Sequence, residues 1–386
     1  MARNTVADVA RLLEQLAPVA WAEDRDNVGL ILGDRQVPVR RLLLTIDLTL
    51  AVLQEAVALR AGMVMAYHPP IYRPVSRLLA EGAPPVWETI RRGIAVYSMH
   101  TALDAVEGGT NDCLAAALGL RDVRPLRPLV RQPRKKIVVF LPPSDLEPVS
   151  AAAFAAGAGR IGNYAECSFH ASGHGTFHGL AGSHPTIGQA GSVRTGPVRA
   201  GRREDVEELR LEFVAPADKV AHVVSAIVAA HSYETPAIDV YPLEDRPAGG
   251  GHGRIGRLER AVSLEVFASR VKRRLGVRQV WTAGRTGRIE QVACCAGSCH
   301  DYLGLVLASG AQAYVTGEMS HHDALAVAAT GSAGPGPRGQ GMAAICVGHS
   351  NSERPALAPL AERIRHGLPG LDVRLAKTDR DPFVVR

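Results

Sequence analysis

His349 and Glu353 stand four residues apart in AICVGHSNSER (344–354), just after an apolar run that stops at Gly348. On a helix beginning near Ser350 the imidazole and the carboxylate point the same way. That donor pair suits a divalent cation. The same spacing also fits a plain helix start, with Glu353 favoured by the positive end of the helix. His68 lies in AYHPP (66–70), where two following prolines hold the backbone extended and stiff. A ligand loses less freedom on coordination there, although a rigid surface turn has the same composition. Asp104 closes HTALD (100–104), with Glu107 and Gly108-Gly109 just beyond; its carboxylate either bridges two cations or caps the next turn. In GEMSHHDAL (317–325), Ser320 and Asp323 have the spacing of a capping box. Glu318 and one histidine, His321, are then left as candidates for moving protons.

These residues share one kind of location. Each follows a short apolar run: GMVMAYHPP (62–70), IAVYSMHTALD (94–104), AQAYVTGEM (311–319) and AAICVGHS (343–350). QVACCAGSC (291–299), which leads to His300, belongs to the same set. Apolar strands feeding polar turns and then helices predict mostly parallel sheets covered on both faces. Ligands gather beyond the carboxyl ends of such strands. In GGTNDCLAAALGL (108–120), Thr110 or Asn111 is expected to cap a helix.

The middle of the chain has a different texture. RKKIVVFLP (134–142), NYAECSFHASGHGTFHG (163–179), VEELRLEFVAP (206–216) and AIDVYPLE (237–244) read as strands. DLEPVSAAAFAAGAG (145–159) and DKVAHVVSAIVAAH (218–231) read as helices. The order β-α-β-β-α-β is ferredoxin-like. The simplest domain map is a first α/β lobe over 1–130, an inserted α+β domain over 131–248 and a second α/β lobe over 249–386.

Composition narrows the class. With 46% hydrophobic and 21% charged residues among 386, the chain has enough apolar material for two or three folded domains. A formal charge of +6 permits nucleic-acid binding, but the basic residues are scattered apart from RQPRKK (131–136) and VKRRLGVR (271–278), so none is indicated. No apolar run reaches the roughly 18 residues of a membrane span. Six cysteines without framework spacing, and no secretory leader, predict a reducing, cytoplasmic setting. GHGRIG (251–256) matches a dinucleotide fingerprint but has no apolar strand before it and no acidic residue at the expected distance. In CCAGSCH (294–300) only Cys295 and Cys299 have zinc-knuckle spacing, with no second pair elsewhere. His170, His174 and His178 alternate along one strand, which reads as a polar sheet face.

Taken together, WAEDRDNVGLILGD (21–34), AYHPPIYRPVSRL (66–78), YSMHTALDAVEGGTNDCLA (97–115), AYVTGEMSHHDAL (313–325), VGHSNSERPAL (347–357) and TDRDPF (378–383) resemble the NIF-three-like family, also labelled GTP cyclohydrolase type 2-like. The resemblance implies a two-lobed α/β fold, two divalent ions (Zn, Mn, Fe or Ni) between the lobes, and a toroidal homohexamer. Residues 133–245 resemble the insert of some members, similar to signal-protein or copper-tolerance domains. Carried over by position, the metal ligands are His68, Asp104, His349 and Glu353. Many members have two adjacent histidines where this chain has Tyr67-His68, and a neutral phenol is a poor ligand. The implied activity is metal-dependent hydrolysis of a nucleotide or related N-heterocycle. The rival expectation is a ring-forming metal- or partner-binding protein with the insert as a sensor. GSAGPGPRGQG (331–341), before the strand that delivers His349, is expected to be a lid or an inert loop.

Overall fold

Uninterrupted runs of Met, Val, Ala, Leu and Ile form strands buried on both faces, as Met63–Ala66 and Ala95–Ser98 are throughout. The computed structural model describes residues 4–129, 133–180, 183–186, 203–243, 250–298, 300–330 and 341–384. The loop at 331–341 expected to be a lid or inert, except its Gly341, and Cys299 of the candidate knuckle lie outside those residues. The chain divides into two units, one of Met1–Leu129 with Ala248–Arg386 and one of Val130–Pro247.

The first unit holds two sheets. One has the order Gly29–Leu32, Ala95–Ser98, Met63–Ala66, Arg41–Thr45, Asp372–Leu375, parallel throughout except for the edge strand Gly29–Leu32. The other has the order Trp281–Gly284, Ala343–Cys346, Ala313–Glu318, Ile289–Ser298, Gly251–Val262, Arg121–Pro128. Its three consecutive members Ala343–Cys346, Ala313–Glu318 and Ile289–Ser298 are parallel, and the flanking strands run antiparallel. The architecture is the mixed α/β, mostly parallel one that the apolar runs predict.

Two strands exchange lobes. Asp372–Leu375, near the C-terminus, pairs with Arg41–Thr45 in the first sheet, and Arg121–Pro128 pairs with Gly251–Val262 in the second. Arg121–Pro128 is largely exposed and contains two prolines, which an edge strand tolerates because one side of its backbone needs no partner. GHGRIG is the start of the strand Gly251–Val262, not a phosphate loop. Its Arg254 is 1% exposed. The guanidinium donates to Asp112 at 2.5 and 2.8 Å, to the carbonyls of Gly251 and Gly253, and to Val106 at 3.2 Å. Those bonds pin the 106–112 turn to the second sheet. Gly109, not Thr110 or Asn111, occupies the helix cap of Thr110–Leu118. The Asn111 side chain is used across the lobes instead: it donates to Asp104 O and accepts from Ala296 N at 3.0 Å.

In the second unit a four-stranded antiparallel sheet has the order Ser168–Phe177, Glu204–Pro216, Arg134–Leu141, Ile238–Pro242. Helices Leu146–Ala155 and Val220–Ala230 contribute Val149, Ala153, Val223 and Ile227 to one core with Ile137, Val139, Leu211 and Phe213. This is the ferredoxin-like arrangement. His170 and His174 are exposed on the edge strand, with His174 bonded to Asp205 at 2.8 Å, so they form a polar face. Among the described residues no helix is long and apolar enough to cross a membrane.

Arg254→Ala leaves Asp112 facing three carbonyls and an empty volume. Loss of one partner of a buried ion pair predicts a destabilisation of about 3 kcal/mol, read from the midpoint of chemical denaturation. A loss below about 1 kcal/mol would show that the clamp is not what ties the turn down.

Candidate metal centre

Neighbouring strand ends deliver the site in pairs. The ladder between Arg41–Thr45 and Met63–Ala66 continues through Tyr67 N to Thr45 O and His68 N to Ile46 O, at 2.9 and 3.0 Å. Asp47 and His68 therefore leave adjacent strands side by side, and His68 Nδ1 meets Asp47 Oδ1 at 2.9 Å. The second sheet repeats the device. Val347 N and Gly348 N continue the ladder to Thr316 O and Gly317 O, so Glu318 and His349 emerge together. His349 Nδ1 lies 2.9 Å from Glu318 Oε1. Gly348 turns the chain with φ 94°, a conformation that suits glycine, into the short helix His349–Glu353.

Both rings aim their other nitrogen at one atom. Glu353 Oε1 is 3.3 Å from His68 Nε2 and 3.2 Å from His349 Nε2. The three side chains form a group whose donor atoms all lie within 4.8 Å of one another. Glu353 is 2% exposed, and its Oε2 is buried without a hydrogen-bond partner. An orphaned buried carboxylate oxygen is costly, and a divalent cation would satisfy it. Space is kept by Gly297, whose φ is 72°; a Cβ there would stand 2.9 Å from Glu353 Oε1 and 3.5 Å from His349 Nε2. The donor set, two imidazoles with a carboxylate, each imidazole braced by an outer carboxylate, fits a first-row divalent ion.

The remaining expected residues sit around this trio. Asp104 accepts a short hydrogen bond from the Tyr67 hydroxyl, and the Tyr67 ring packs edge-on to His68 at 5.1 Å. Asp104 is outside the trio. Glu318 braces His349 and is exposed to solvent. His321 is exposed at the first turn of its helix, where its ring meets His322; the structure does not bring it to the trio. The capping box of Ser320 and Asp323 is formed, and Asp323 also binds His300 Nδ1 at 2.7 Å. Arg354 is committed to Asp379 at 2.7 and 3.1 Å, while Arg73 and Arg77 are exposed. A cavity of about 850 Å³ adjoins the Glu318 side of His349, with Trp281, Met319, Asn351 and Phe383 in its wall.

Asp47, Asp26, Gly297 and the bracing of His100 escaped the sequence reading. Asp47 carried the same signal as His68, a polar residue at the end of an apolar run. Asp26, which holds His100 Nδ1 at 2.8 Å, lies in an irregular segment with no period to read.

Charge in the metal-free site follows from these contacts. Burial alone lowers His68, but hydrogen bonds to Asp47 and Glu353 hold it up at about 10. The hydrogen bond to Glu353, helped by Glu318 and opposed by burial, raises His349 to about 9. Burial alone would raise Glu353, yet donation from His349 and His68 holds it below the usual carboxylate value. Burial pushes Asp104 up to about 6 against the hydrogen bond from Tyr67. Burial, with the charges of Asp104 and Glu353, pushes the Tyr67 phenol well above its usual value, so it stays neutral.

In the metal-free fold, the charged histidine pairs add stability that is complete below the ordinary value of 6.5 and is lost as pH rises through about 9 and 10. Metal binding has the opposite slope, because an ion must displace those protons. Zinc affinity is expected to rise from about pH 6 to about pH 9, by about tenfold per pH unit for each proton released. Titration calorimetry in buffers of different ionisation enthalpy measures that release; a pH-independent affinity contradicts it. Gly297→Ala, which puts a methyl group against the donor atoms, is expected to weaken zinc binding by about 100-fold or more, a change of about 3 kcal/mol. Unchanged zinc affinity in that variant would mean that the ion lies elsewhere.

Residues 4–382 match the model of Duf34/NIF3 (NGG1p interacting factor 3). A Halalkalibacterium halodurans protein named GTP cyclohydrolase 1 type 2 homolog is 36% identical over 317 residues, covering 81% of this chain and 82% of its own. A Mycobacterium tuberculosis protein of the same name is 35% identical over 387 residues, covering 98% and 96%. Among solved structures, a Bacillus cereus protein related to NIF3 matches with a TM-score of 0.67 and 32% identity, both chains covered in full. A Staphylococcus aureus protein matches with a TM-score of 0.73 and 26% identity, again over both full lengths. The sequence match over nearly its whole length, and the fold built around the trio, place this chain in the Duf34/NIF3 family.

Proposed function

We propose that the protein is a metal-dependent hydrolase of a nucleotide or related N-heterocycle, working from a centre of two divalent ions. The observation that carries this reading is the convergence of His68 Nε2 and His349 Nε2 on the buried Glu353 carboxylate. Divalent cations there supply Lewis acidity and acidify water near neutral pH. The chain's own residues do the rest. Asp47 and Glu318 accept from the Nδ1 positions, which leaves each Nε2 as the lone-pair donor once its proton is lost. Glu318, braced against His349 and open to solvent, exchanges the protons that hydrolysis moves. His321 is not part of the trio and has no contact with it to support the same role in this reading.

A purine nucleotide is the substrate class suggested by the name that the relatives carry. The cavity beside His349 is of the size that small-molecule sites have. The same likeness carries the expectation of a hexameric ring, which sedimentation would measure directly.

The test uses chelator-stripped protein reloaded with Zn, Mn, Fe or Ni and supplied with GTP, with products separated by chromatography. Turnover should require added metal and fall by about 100-fold or more in His349→Ala, beyond the loss of an outer partner. A protein that holds its ions yet turns over no purine nucleotide contradicts the hydrolase reading and favours a ring-shaped binding protein.

A further inference from the structure

The sheet that delivers His349 brings a second set of side chains to the same end. Trp281–Gly284 runs antiparallel to Ala343–Cys346, so this edge strand starts where its neighbour stops, and Trp281 pairs with Cys346. Trp281 therefore stands at the carboxyl end of the strand that leads to His349, the end at which parallel sheets collect ligands. Its ring is not absorbed into the core. Trp281 is 57% exposed, and Phe383, in the C-terminal segment, is 79% exposed. Both lie in the wall of the cavity of about 850 Å³ beside His349. Large apolar rings left open together around a concavity mark a ligand surface. A flat aromatic face selects a flat partner.

The polar atoms in that wall are of one kind. Asn351 Nδ2 donates to Val347 O at 3.1 Å and to Asp381 Oδ2 at 2.6 Å, which uses both amide hydrogens. The amide is thereby fixed with Oδ1 left over, and no described residue donates to that oxygen. Asp381 is anchored in turn by Asn351 and by Phe383 N, which donates at 2.9 Å; its two oxygens keep further acceptor positions. Glu318 adds a solvent-exposed carboxylate. A wall of acceptors is complemented by a ligand edge that carries N–H donors. The charge disfavours phosphate. Among the described lining residues one guanidinium, Arg278, stands against the carboxylates of Glu318 and Asp381, and the nearby Arg354 is held by Asp379. A triphosphate needs convergent cations or free backbone donors at a helix start. The capping box of Ser320 and Asp323 already fills the start of the helix His321–Ala329.

Resting on the reading of this cavity as the substrate site of the hydrolase, we infer that it holds a planar N-heterocycle as the base or nucleoside. The ring stacks on Trp281 with an N–H-bearing edge toward Asn351 Oδ1 and Asp381, and phosphates, where present, stay in solvent. The edge of guanine, a ring N–H beside an amino group, meets that requirement. The base then lies on the Glu318 side of His349, beside the metal trio.

The measurement is equilibrium dialysis of the full-length, zinc-loaded protein against guanosine and against GTP, with turnover assayed separately. Guanosine is expected to bind within about threefold of GTP. Trp281→Ala should weaken guanosine by about 10-fold or more, and Trp281→Phe should restore most of that loss. Asn351→Ala should weaken guanosine by about 10-fold while zinc content per chain stays at the wild-type value. GTP bound more than about tenfold tighter than guanosine, guanosine affinity unaltered in Trp281→Ala or Asn351→Ala, or no guanosine bound at all would each overturn the inference. Guanosine bound in this manner, with no turnover of any purine, leaves the inference standing and overturns the hydrolase reading. Metal-dependent turnover with unaltered guanosine binding in Trp281→Ala does the reverse.

Discussion

One carboxylate oxygen organises the centre of this molecule. Glu353 Oε1 receives two imidazole nitrogens while Oε2 stays buried and unpaired. In the metal-free state the arrangement holds only because both imidazoles carry a proton, which neutralises a charge that burial would otherwise make very costly. Remove the protons and three lone-pair donors face one another across a small volume. A divalent cation resolves that conflict, and binding metal and settling the charge of the site are the same event.

The fold supplies this geometry by using one device twice. Adjacent parallel strands end together, one giving a histidine and its neighbour the carboxylate that braces it: Asp47 with His68, Glu318 with His349. Bracing on Nδ1 leaves little rotational freedom, so the Nε2 atoms are already placed before any ion arrives. The exchange of Arg121–Pro128 and Asp372–Leu375 between the lobes, together with Arg254 and Asn111, ties the two halves of the site to one framework. A ligand set drawn from residues 285 apart in sequence would otherwise depend on a mobile junction.

Much of this is legible in the chain. Buried parallel strands announce themselves as unbroken apolar runs, so Met63–Ala66 and Ala343–Cys346, and the polar residues at their ends, can be read directly. The inserted unit is legible because its alternation of strand and helix follows a known order. Arg121–Pro128 is not, because an exposed edge strand needs no apolar face and reads as a polar, proline-containing linker. Bracing contacts are also invisible to local pattern: Asp26 and His100 are 74 residues apart, and nothing in either segment's periodicity names the other. Capping was half legible. Ser320 with Asp323 formed as the spacing implied, whereas Asn111, with equally good capping chemistry, was drawn to Ala296 N in the other lobe, where a buried amide needed an acceptor.

The most direct measurement is anomalous diffraction from crystals of the zinc-loaded protein, with the peak located relative to the two rings. An ion is expected about 2.0–2.1 Å from both His68 Nε2 and His349 Nε2, with Glu353 as an oxygen ligand and the Nδ1 contacts to Asp47 and Glu318 intact. An ion bound through either Nδ1, or a peak away from Glu353 altogether, would contradict it.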